Sequence, residues 1–394
     1  MTFLLPCLAL LCTLQACTSV ELCPETTHPH AATILIDFDW HGYDANKDDG
    51  YFPQEMNIVA ARNLNTLRVH GIANTLDGSI RNGMSDPIVT DSDNPEEEVP
   101  FRLKGGEYKA FAINATEGLE LDSLHCYLTR PAATVDTLYL HMTETPRDQI
   151  EDLKNLKLPD FNPTYRYVQN AGRIFYGINT GISIQTGQEE TIHFDMQPVT
   201  QEVKVKFSIK KTGDNKDRIE IEQVVAEMSG VCGRINIAEA NLDTTNLYRM
   251  VFPFKDLQVE ESEDVLTYST SFYTLGIVPS VKKELLVGRG ILQLAIRASV
   301  PKSLKGGADA GSEDKISLFF YAAANPRQTL VDAQMMEQRE NKKTYLKYRE
   351  EPVVIELGKV LEIDSGDILN ATDEDTWHEN EDGGGGNDNV DIEM

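Results

Sequence analysis

Four oxygen-bearing side chains in the first sixty residues have the spacing of calcium ligands. Asp44, Asn46, Asp48 and Glu55 take positions 1, 3, 5 and 12 of a loop, and calcium binds oxygen donors at such positions. However, Gly50 comes one place later than the glycine of a calcium loop, and a predicted strand precedes the loop instead of a helix. We therefore predict a polar loop between two strands, without a metal ion.

Three histidines and a cysteine form a second group with metal-binding chemistry. Cys23, His28, His30 and His41 offer thiolate and imidazole donors. Their spacing matches no standard zinc site, and Pro29 favours an extended lead into the first strand. We predict no metal and no cofactor at this group.

Catalytic patterns do not stand out in the sequence. A Gly-x-Ser-x-Gly elbow, a His-Glu-x-x-His pair and a phosphate-binding loop are all absent from it. The chain has 63 Asp and Glu residues, so no single pair is marked as the acid and base of a glycosidase. We predict a non-enzymatic protein without catalytic residues.

The sequence Leu14-Gln15-Ala16-Cys17 indicates attachment of lipid. It follows an apolar run at residues 3–11 and resembles the site that a lipoprotein signal peptidase cuts before the cysteine. A signal peptide needs about 7–15 apolar residues, whereas a membrane span needs roughly 20. We predict that residues 1–16 are a signal peptide and that acylated Cys17 anchors the protein on a membrane. An ordinary apolar strand is the alternative.

Three cysteines remain after the predicted cleavage and lipidation. Cys23, Cys126 and Cys232 are widely spaced, and an odd number of thiols cannot form a complete disulfide framework. At most one bridge can form among them, and the sequence does not choose which.

The chain is strongly acidic, and its negative charge is concentrated near the C-terminus. The net charge of −27 argues against nucleic acid, which is bound by an excess of Lys and Arg. From Leu361 onward there are 12 acidic residues and no Lys or Arg, with four consecutive glycines among them. Such a segment buries too little apolar surface to offset chain entropy, so residues 365–394 are predicted to be a disordered acidic tail.

The hydrophobic pattern of the chain predicts mainly β-strands. Residues 33–40 alternate apolar and acidic side chains in their second half, and residues 203–209 alternate Val, Val, Phe and Ile with Lys, Lys and Ser. Short strands of this kind, separated by Gly, Pro, Asn and Asp, are typical of an all-β sandwich. One helix is predicted at 329–340. We predict a spacer at 17–30 and two tandem antiparallel β-sandwiches at 31–198 and 199–364.

Several motifs in one order resemble a known family. The chain is similar to a branch of the fimbrillin-like surface lipoproteins of Gram-negative anaerobes, a branch related to fimbrial anchor and minor subunits. The resemblance covers about residues 17–364, and the order of the motifs carries it. The motifs are Cys17, Glu21-Leu22-Cys23, His28-Pro29-His30, Asp37-Phe38-Asp39-Trp40, Gly106–Asn114, Met196-Gln197-Pro198-Val199-Thr200, the strand 203–207, and 224–233 with Met228-Ser229-Gly230-Val231.

The resemblance implies transthyretin-like sandwiches and a role as a fimbrial anchor, minor subunit or adhesin. Subunits of that family join when a strand of one completes a sheet of the next, which is β-augmentation. A stalk subunit would need a removable N-terminal strand, for which Arg62 or Arg68 would be the cleavage point. We interpret both as ordinary surface arginines, and a retained lipid on Cys17 favours a base or accessory role. The expected partners are the membrane and either fimbrial subunits or a host or glycan ligand.

The alternative function is a surface glycan-binding lipoprotein of a nutrient-uptake system. It would require a row of exposed aromatic side chains, for which Tyr165, Tyr167, Phe175 and Tyr176 are the candidates. In either case the expected location is the outer membrane, at the cell surface. The periplasmic face is the second location, because residues 18–21 lack an acidic cluster that would resemble a surface-export signal.

Overall fold

The computed structural model describes the greater part of the chain. It covers residues 31–39, 55–62, 66–73, 84–85, 88–91, 94–100, 102–114, 120–121, 126–129, 139–150, 165–254, 265–306, 314–349, 351–370 and 390–392.

Regular structure in these residues is almost entirely β, which confirms the predicted all-β class. Two short helices, α1 (Arg327–Asp332) and α2 (Ser365–Asn370), and 3-10 turns at Arg147–Gln149, Lys216–Arg218 and Lys302–Leu304 complete it. The strands are β1 (Ala32–Asp39), β2 (Glu55–Arg62), β3 (Thr66–Ala73), β4 (Met84–Ser85), β5 (Ile88–Asp91), β6 (Asn94–Pro100), β7 (Arg102–Leu103), β8 (Gly106–Asn114), β9 (Glu120–Leu121), β10 (Cys126–Thr129), β11 (Tyr139–Met142), β12 (Glu144–Thr145), β13 (Tyr167–Val168), β14 (Phe175–Ile184), β15 (Glu189–Asp195), β16 (Gln197–Pro198), β17 (Gln201–Thr212), β18 (Glu220–Cys232), β19 (Arg234–Asn236), β20 (Asn241–Leu242), β21 (Leu247–Pro253), β22 (Val265–Thr274), β23 (Leu292–Pro301), β24 (Lys315–Ala324), β25 (Met336–Gln338), β26 (Thr344–Leu346), β27 (Val353–Glu356), β28 (Leu361–Asp364) and β29 (Val390–Ile392).

Contacts divide the chain into two units. Unit 1 comprises Met1–Leu119, Arg130–Leu138 and Phe175–Gln197, and unit 2 comprises Glu120–Thr129, Tyr139–Ile174 and Pro198–Met394. The chain therefore enters unit 2 three times and returns to unit 1 twice. The strand pattern predicts segments 120–129 and 139–174 within the first sandwich, whereas the contacts assign them to unit 2.

Unit 1 is built from two sheets that share one core. Sheet A has the order β15-β1-β4, with β7 also on β1, and sheet B contains the run β14-β8-β2-β3-β5-β6. Side chains of both sheets form one buried cluster, to which β1 and β15 contribute from sheet A and β2, β8 and β14 from sheet B. This is the sandwich arrangement of two sheets packed face to face.

The first strand fits this core through strict alternation. Ala32, Ile34, Ile36 and Phe38 are all 0% exposed, whereas Asp39 at the end of the strand is exposed. β1 runs parallel to β15 in a register from Thr33↔Glu189 to Asp39↔Asp195. The half-buried strand was predicted from its alternation, but its parallel partner was not.

Unit 2 contains the second sandwich. Sheet D has the order β12-β13-β21-β18-β23-β24-β29, and sheet E has the order β22-β17-β27 with β28 also on β17. The alternation predicted for residues 203–209 is confirmed, since Val203, Val205, Phe207 and Ile209 are at most 1% exposed. The sheets meet at stacked rings, where Phe252 of sheet D lies 4.5 Å from Phe272 of sheet E between centroids.

Two strands of segment 139–174, β12 and β13, join sheet D of unit 2. Tyr167 is 2% exposed and clusters with Val225 and Ala295 of that sheet. Its hydroxyl donates to Glu227 over 3.1 Å, and Glu227 in turn accepts a hydrogen bond from the buried guanidinium of Arg249. Burial raises the pKa of Tyr167, and the charge of Glu227 raises it further.

The same region adds a further sheet to unit 2. Sheet C has the order β25-β26-β20-β19-β11-β10-β9. It joins Tyr139 to Asn236 and Asn241 to Tyr345 across neighbouring strands. Strands far apart in the sequence therefore share one surface.

Two predictions about the C-terminal half were wrong in part. The helix predicted at 329–340 is only Arg327–Asp332, because Gln334 has φ 50° and Met336–Gln338 pairs with Thr344–Leu346. Left-handed backbone after the last turn is a common way for a helix to end.

The predicted disordered tail also contains structure at both ends. Ser365–Asn370 is helical with Ile368 0% exposed, which ties this segment to the core. Val390–Ile392 pairs in parallel with the end of β24. Residues 371–389 lie outside the described residues.

Removing the Phe38 side chain should destabilise unit 1. Phe38→Ala deletes a fully buried ring that lies 6.0 Å from Phe194 between centroids, and such truncations cost about 3–5 kcal/mol. Urea unfolding gives the free energy, with Asp39→Ala at an exposed position as the control. Equal effects of the two substitutions would contradict the placement of β1 in the core.

The contacts of Glu227 predict a second large effect. Glu227→Ala leaves the charge of Arg249 buried without its partner, which costs about 3–5 kcal/mol. Glu144→Ala is the matched control, because Glu144 and Arg166 form an exposed pair at 2.5 Å with side chains 47% and 46% exposed, and such pairs contribute about 1 kcal/mol or less. Denaturant unfolding compares the two variants, and losses of similar size would refute the structural role of Glu227.

Candidate functional site

Most of the sequence-predicted site residues lie outside the described residues. This holds for Cys17, Cys23, His28, His30, His41 and residues 44–54, while Glu55 is described only as backbone of β2. Lipidation of Cys17 therefore stays a prediction. In the part of the chain that the structure describes, no group of three or more His, Cys, Asp or Glu side chains is arranged to hold a metal ion. The helices described there are too short or too polar to cross a membrane.

Cys232 is a free thiol in the core of unit 2. It is 0% exposed at the end of β18. Burial raises the pKa of the thiol to about 12, and Asp243 adds to the rise. Because only the thiolate reacts readily, Cys232 is an inert core residue. Any bridge among the three candidate cysteines is then limited to Cys23 and Cys126.

The four candidate aromatic residues do not form one binding row. Tyr167 and Phe175 are each 2% exposed, and Tyr165 is half-buried with the guanidinium of Arg249 3.5 Å from its ring centroid. Phe175 and Tyr176 belong to unit 1, while Tyr165 and Tyr167 belong to unit 2. The stacking surface expected for the glycan-binding alternative is therefore not made by these residues.

The two candidate cleavage points lie within paired backbone. Arg62 pairs with Thr66 of β3 and with Tyr108 of β8. Arg68 pairs with Ala60 of β2. Proteases prefer exposed loop tips, where the backbone is free to enter their active sites. This geometry supports the interpretation of both arginines as ordinary residues of the fold.

An edge strand in unit 2 has the composition of a pairing surface. β22 is the last strand of sheet E, and among the described strands it pairs only with β17, over ten residues from Gln201↔Thr274 to Lys210↔Val265. Its sequence, VLTYSTSFYT, contains no charged residue and no proline. Natural edge strands are commonly blunted by charges, prolines or bulges, so an edge without them is prone to accept another strand.

The backbone hydrogen bonds of Tyr273 show which residues of β22 direct their N–H and C=O groups away from β17. Its N–H donates to the side chain of Asn170 over 2.8 Å, and its carbonyl accepts from the N–H of Ala171 over 3.3 Å. Tyr273 therefore points its backbone groups away from β17. Because this direction alternates along an antiparallel pair, residues 265, 267, 269 and 271 point theirs the same way.

These four positions form the open part of the edge, which we call the β22 edge. No backbone partner for them is present among the described residues, whereas segment 170–171 closes the edge at Tyr273. The side chains of Phe272 and Tyr268 pack in the core of unit 2, at 0% and 3% exposure, and hold the strand in place. The edge is thus rigidly held and about seven residues long, a length typical of a complete strand.

The outer side of β24 in sheet D is partly covered. The outer side of β24 pairs with β29 at residues 322–324. At the other end of that strand, Lys315 forms an ion pair with Glu220. The sequence predicts a strand at residues 265–275. Its lack of charge over ten residues, in a chain of which 25% is charged, is the feature that could have indicated an open edge.

Comparison with known proteins gives matches among solved structures only. No protein family and no curated protein matches the sequence. The chain is similar to a protein assigned as an adhesin from Bacteroides ovatus, with 9% identity, a TM-score of 0.42, and coverage of 86% of this chain and 93% of that one. A second protein assigned as an adhesin, from Bacteroides thetaiotaomicron, has 9% identity, a TM-score of 0.41 and coverages of 88% and 94%.

The fimbrial anchor protein Mfa2 from Porphyromonas gingivalis is also similar. It has 10% identity and a TM-score of 0.34, and the match covers 80% of this chain and 95% of that one. These neighbours carry adhesin and fimbrial-anchor names. With TM-scores below 0.5, the fold assignment rests on the strand pairing described above.

Proposed function

We propose that the protein is a membrane-anchored, fimbria-associated lipoprotein that acts as an anchor, minor subunit or adhesin. Lipid on Cys17 would hold it on the outer membrane, and a strand of a partner subunit would add to sheet E. The observation that carries this proposal is the uncharged, proline-free β22 edge, whose outward backbone groups have no partner in the described residues. The sequence resemblance to fimbrillin-like lipoproteins supports the same role.

The energetics of strand addition suit such an edge. An incoming strand would form hydrogen bonds with residues 265, 267, 269 and 271, and each bond contributes about 0.5–1.5 kcal/mol net. Side chains that alternate along the strand would set the register. Since β22 is already fixed by its buried side chains, little further ordering of this chain is needed.

The N-terminal strand favours a base or accessory position over a stalk position. Exchange of β1 would withdraw four fully buried side chains from unit 1. It would also expose β15, which pairs with β1 over seven residues. Retention of β1 and of the lipid is consistent with a subunit fixed at the membrane.

Glycan binding in nutrient uptake is the second candidate. The observation that favours it is a polar cleft on sheet C, lined by Arg234, Asn241 and Lys342 among others. The two functions use separate parts of unit 2.

Blocking the β22 edge should weaken assembly. Ser269→Pro removes an outward N–H and leaves the pairing with β17 intact, since proline is tolerated on the free side of an edge strand. Loss of one or two bonds should weaken association with fimbrial subunits purified from the producing cells by roughly tenfold. Surface plasmon resonance measures the affinity.

Ser269→Ala serves as the control because it keeps the N–H. Both variants must unfold at the same temperature as the unmodified protein. Equal affinity of the two variants, or a complete lack of association between the unmodified protein and the subunits, would refute assembly through this edge.

Lipidation is tested at the predicted cysteine. Radiolabelled palmitate should enter the unmodified protein and not Cys17→Ala, because acylation requires the thiol at the new N-terminus. The unmodified protein should also partition with membranes, since more than one acyl chain gives stable anchoring. Equal labelling of the two proteins would remove the anchor from the proposal. Protease treatment of intact cells, followed by immunoblotting, then separates the cell surface from the periplasmic face.

A further inference from the structure

A polar cleft of about 270 Å³ lies on the surface of sheet C in unit 2. Its lining includes Tyr139, Arg234, Asn241, Asp243, Lys342 and Lys343, together with threonine hydroxyls. Tyr139 lies in β11, Arg234 in β19 and Asn241 in β20. Asp243 follows β20, and the two lysines lie in the turn between β25 and β26. Pairing of the strands brings them together, because Tyr139 lies opposite Asn236 and Asn236 lies opposite Asn241.

The cleft is cationic in an acidic protein. Arg234, Lys342 and Lys343 line it, whereas the whole chain has a net charge of −27. Lys343 pairs with Glu239 over 2.8 Å. Arg234 and Lys342 form no ion pair within the described residues. Two cations therefore remain for a ligand.

The carboxylate in the cleft is already engaged. Asp243 accepts hydrogen bonds from the backbone and hydroxyl of Thr245, at 3.0 and 2.6 Å, and from Asn246 at 3.1 and 3.3 Å. Burial alone would raise its pKa, but these bonds outweigh burial and lower the pKa to about 2. Asp243 is thus a fixed part of its own turn, and it leaves the two cations to other partners.

The arginine is oriented but incompletely bonded. Its guanidinium lies 4.0 Å from the ring centroid of Tyr139, which fixes the plane of the group by a cation–π contact. Its Nε is buried and has no hydrogen-bond partner in the described structure. A planar guanidinium held in one orientation matches the two oxygens of a carboxylate.

The lysine is presented by a strained turn. Lys342 has φ 61°, a conformation that a residue with a side chain seldom adopts and that surrounding bonds must maintain. Its N–H donates to the carbonyl of Arg339 over 2.9 Å, and the N–H of Arg339 donates to the carbonyl of Lys343 over 3.1 Å. The turn therefore keeps Lys342 at the rim of the cleft before any ligand arrives.

We propose that this cleft binds a carboxylate-bearing saccharide, such as one uronic acid residue of an acidic glycan. Arg234 and Lys342 would bind the carboxylate, and Asn241 and the threonine hydroxyls would bind ring hydroxyls. The volume is slightly below the roughly 300 Å³ at which pockets for drug-sized ligands begin, so it suits a single sugar ring. This inference names the ligand of the second candidate function and does not depend on strand pairing.

Glucuronic acid is the probe, and glucose is the matched neutral sugar. Isothermal titration with the full-length protein should show binding of glucuronic acid and at least tenfold weaker binding of glucose. Lys342→Asn should reduce glucuronic acid binding about tenfold, the loss expected for one charge-assisted bond. Asparagine tolerates the left-handed backbone at this position, so the turn should persist. Lys283→Gln, at an exposed lysine outside the cleft, should leave binding unchanged.

Inorganic phosphate distinguishes a saccharide site from a general anion site. Phosphate that binds as tightly as glucuronic acid would overturn the assignment to a saccharide. Equal binding of glucose and glucuronic acid would overturn the role of the carboxylate, and no binding of either sugar would overturn the site itself. Each result is separable from the assembly proposal, because Lys342→Asn leaves the β22 edge and its affinity for fimbrial subunits untouched.

Discussion

The pairing of β1 with β15 is the constraint on which unit 1 depends. It joins residues more than 150 positions apart in seven consecutive register pairs, and it places four side chains of β1 in the same buried cluster as β2, β8 and β14. Closing so long a loop costs entropy, which only extensive burial can offset. A subunit that relied on losing this strand would lose much of its core. Addition of a strand at the β22 edge, which has no backbone partner among the described residues, would leave this core intact.

Local alternation in the sequence predicts strands but not their partners. The period of two identified both β1 and β17, and burial follows the predicted faces residue by residue. Nothing in residues 33–39 indicates that residues 189–195 run beside them in parallel, because the choice depends on how all other strands pack. The helix prediction at 329–340 failed for a related reason. Leu330, Ala333 and Met335 are buried, but residues 336–338 pair with β26, and this pairing outweighs their helical spacing.

The two candidate surfaces differ in how far the sequence could have predicted them. The β22 edge is one continuous segment of sequence. Its lack of charge indicates a pairing surface once the strand is known to lie at an edge. The cleft draws its residues from positions 139, 234, 241 and 342, and no local pattern links these positions. Only the adjacency of β11, β19, β20 and β26 in sheet C creates it. A site of this kind lies beyond motif analysis.

The charge of the chain determines how the cleft can work. A net charge of −27 repels anionic ligands at long range, yet at physiological salt such repulsion is screened beyond about 8 Å. A carboxylate bound by Arg234 and Lys342 would lie well within that distance of both cations, and the half-buried position of Arg234 weakens screening there. Recognition must then come from contact and not from electrostatic steering.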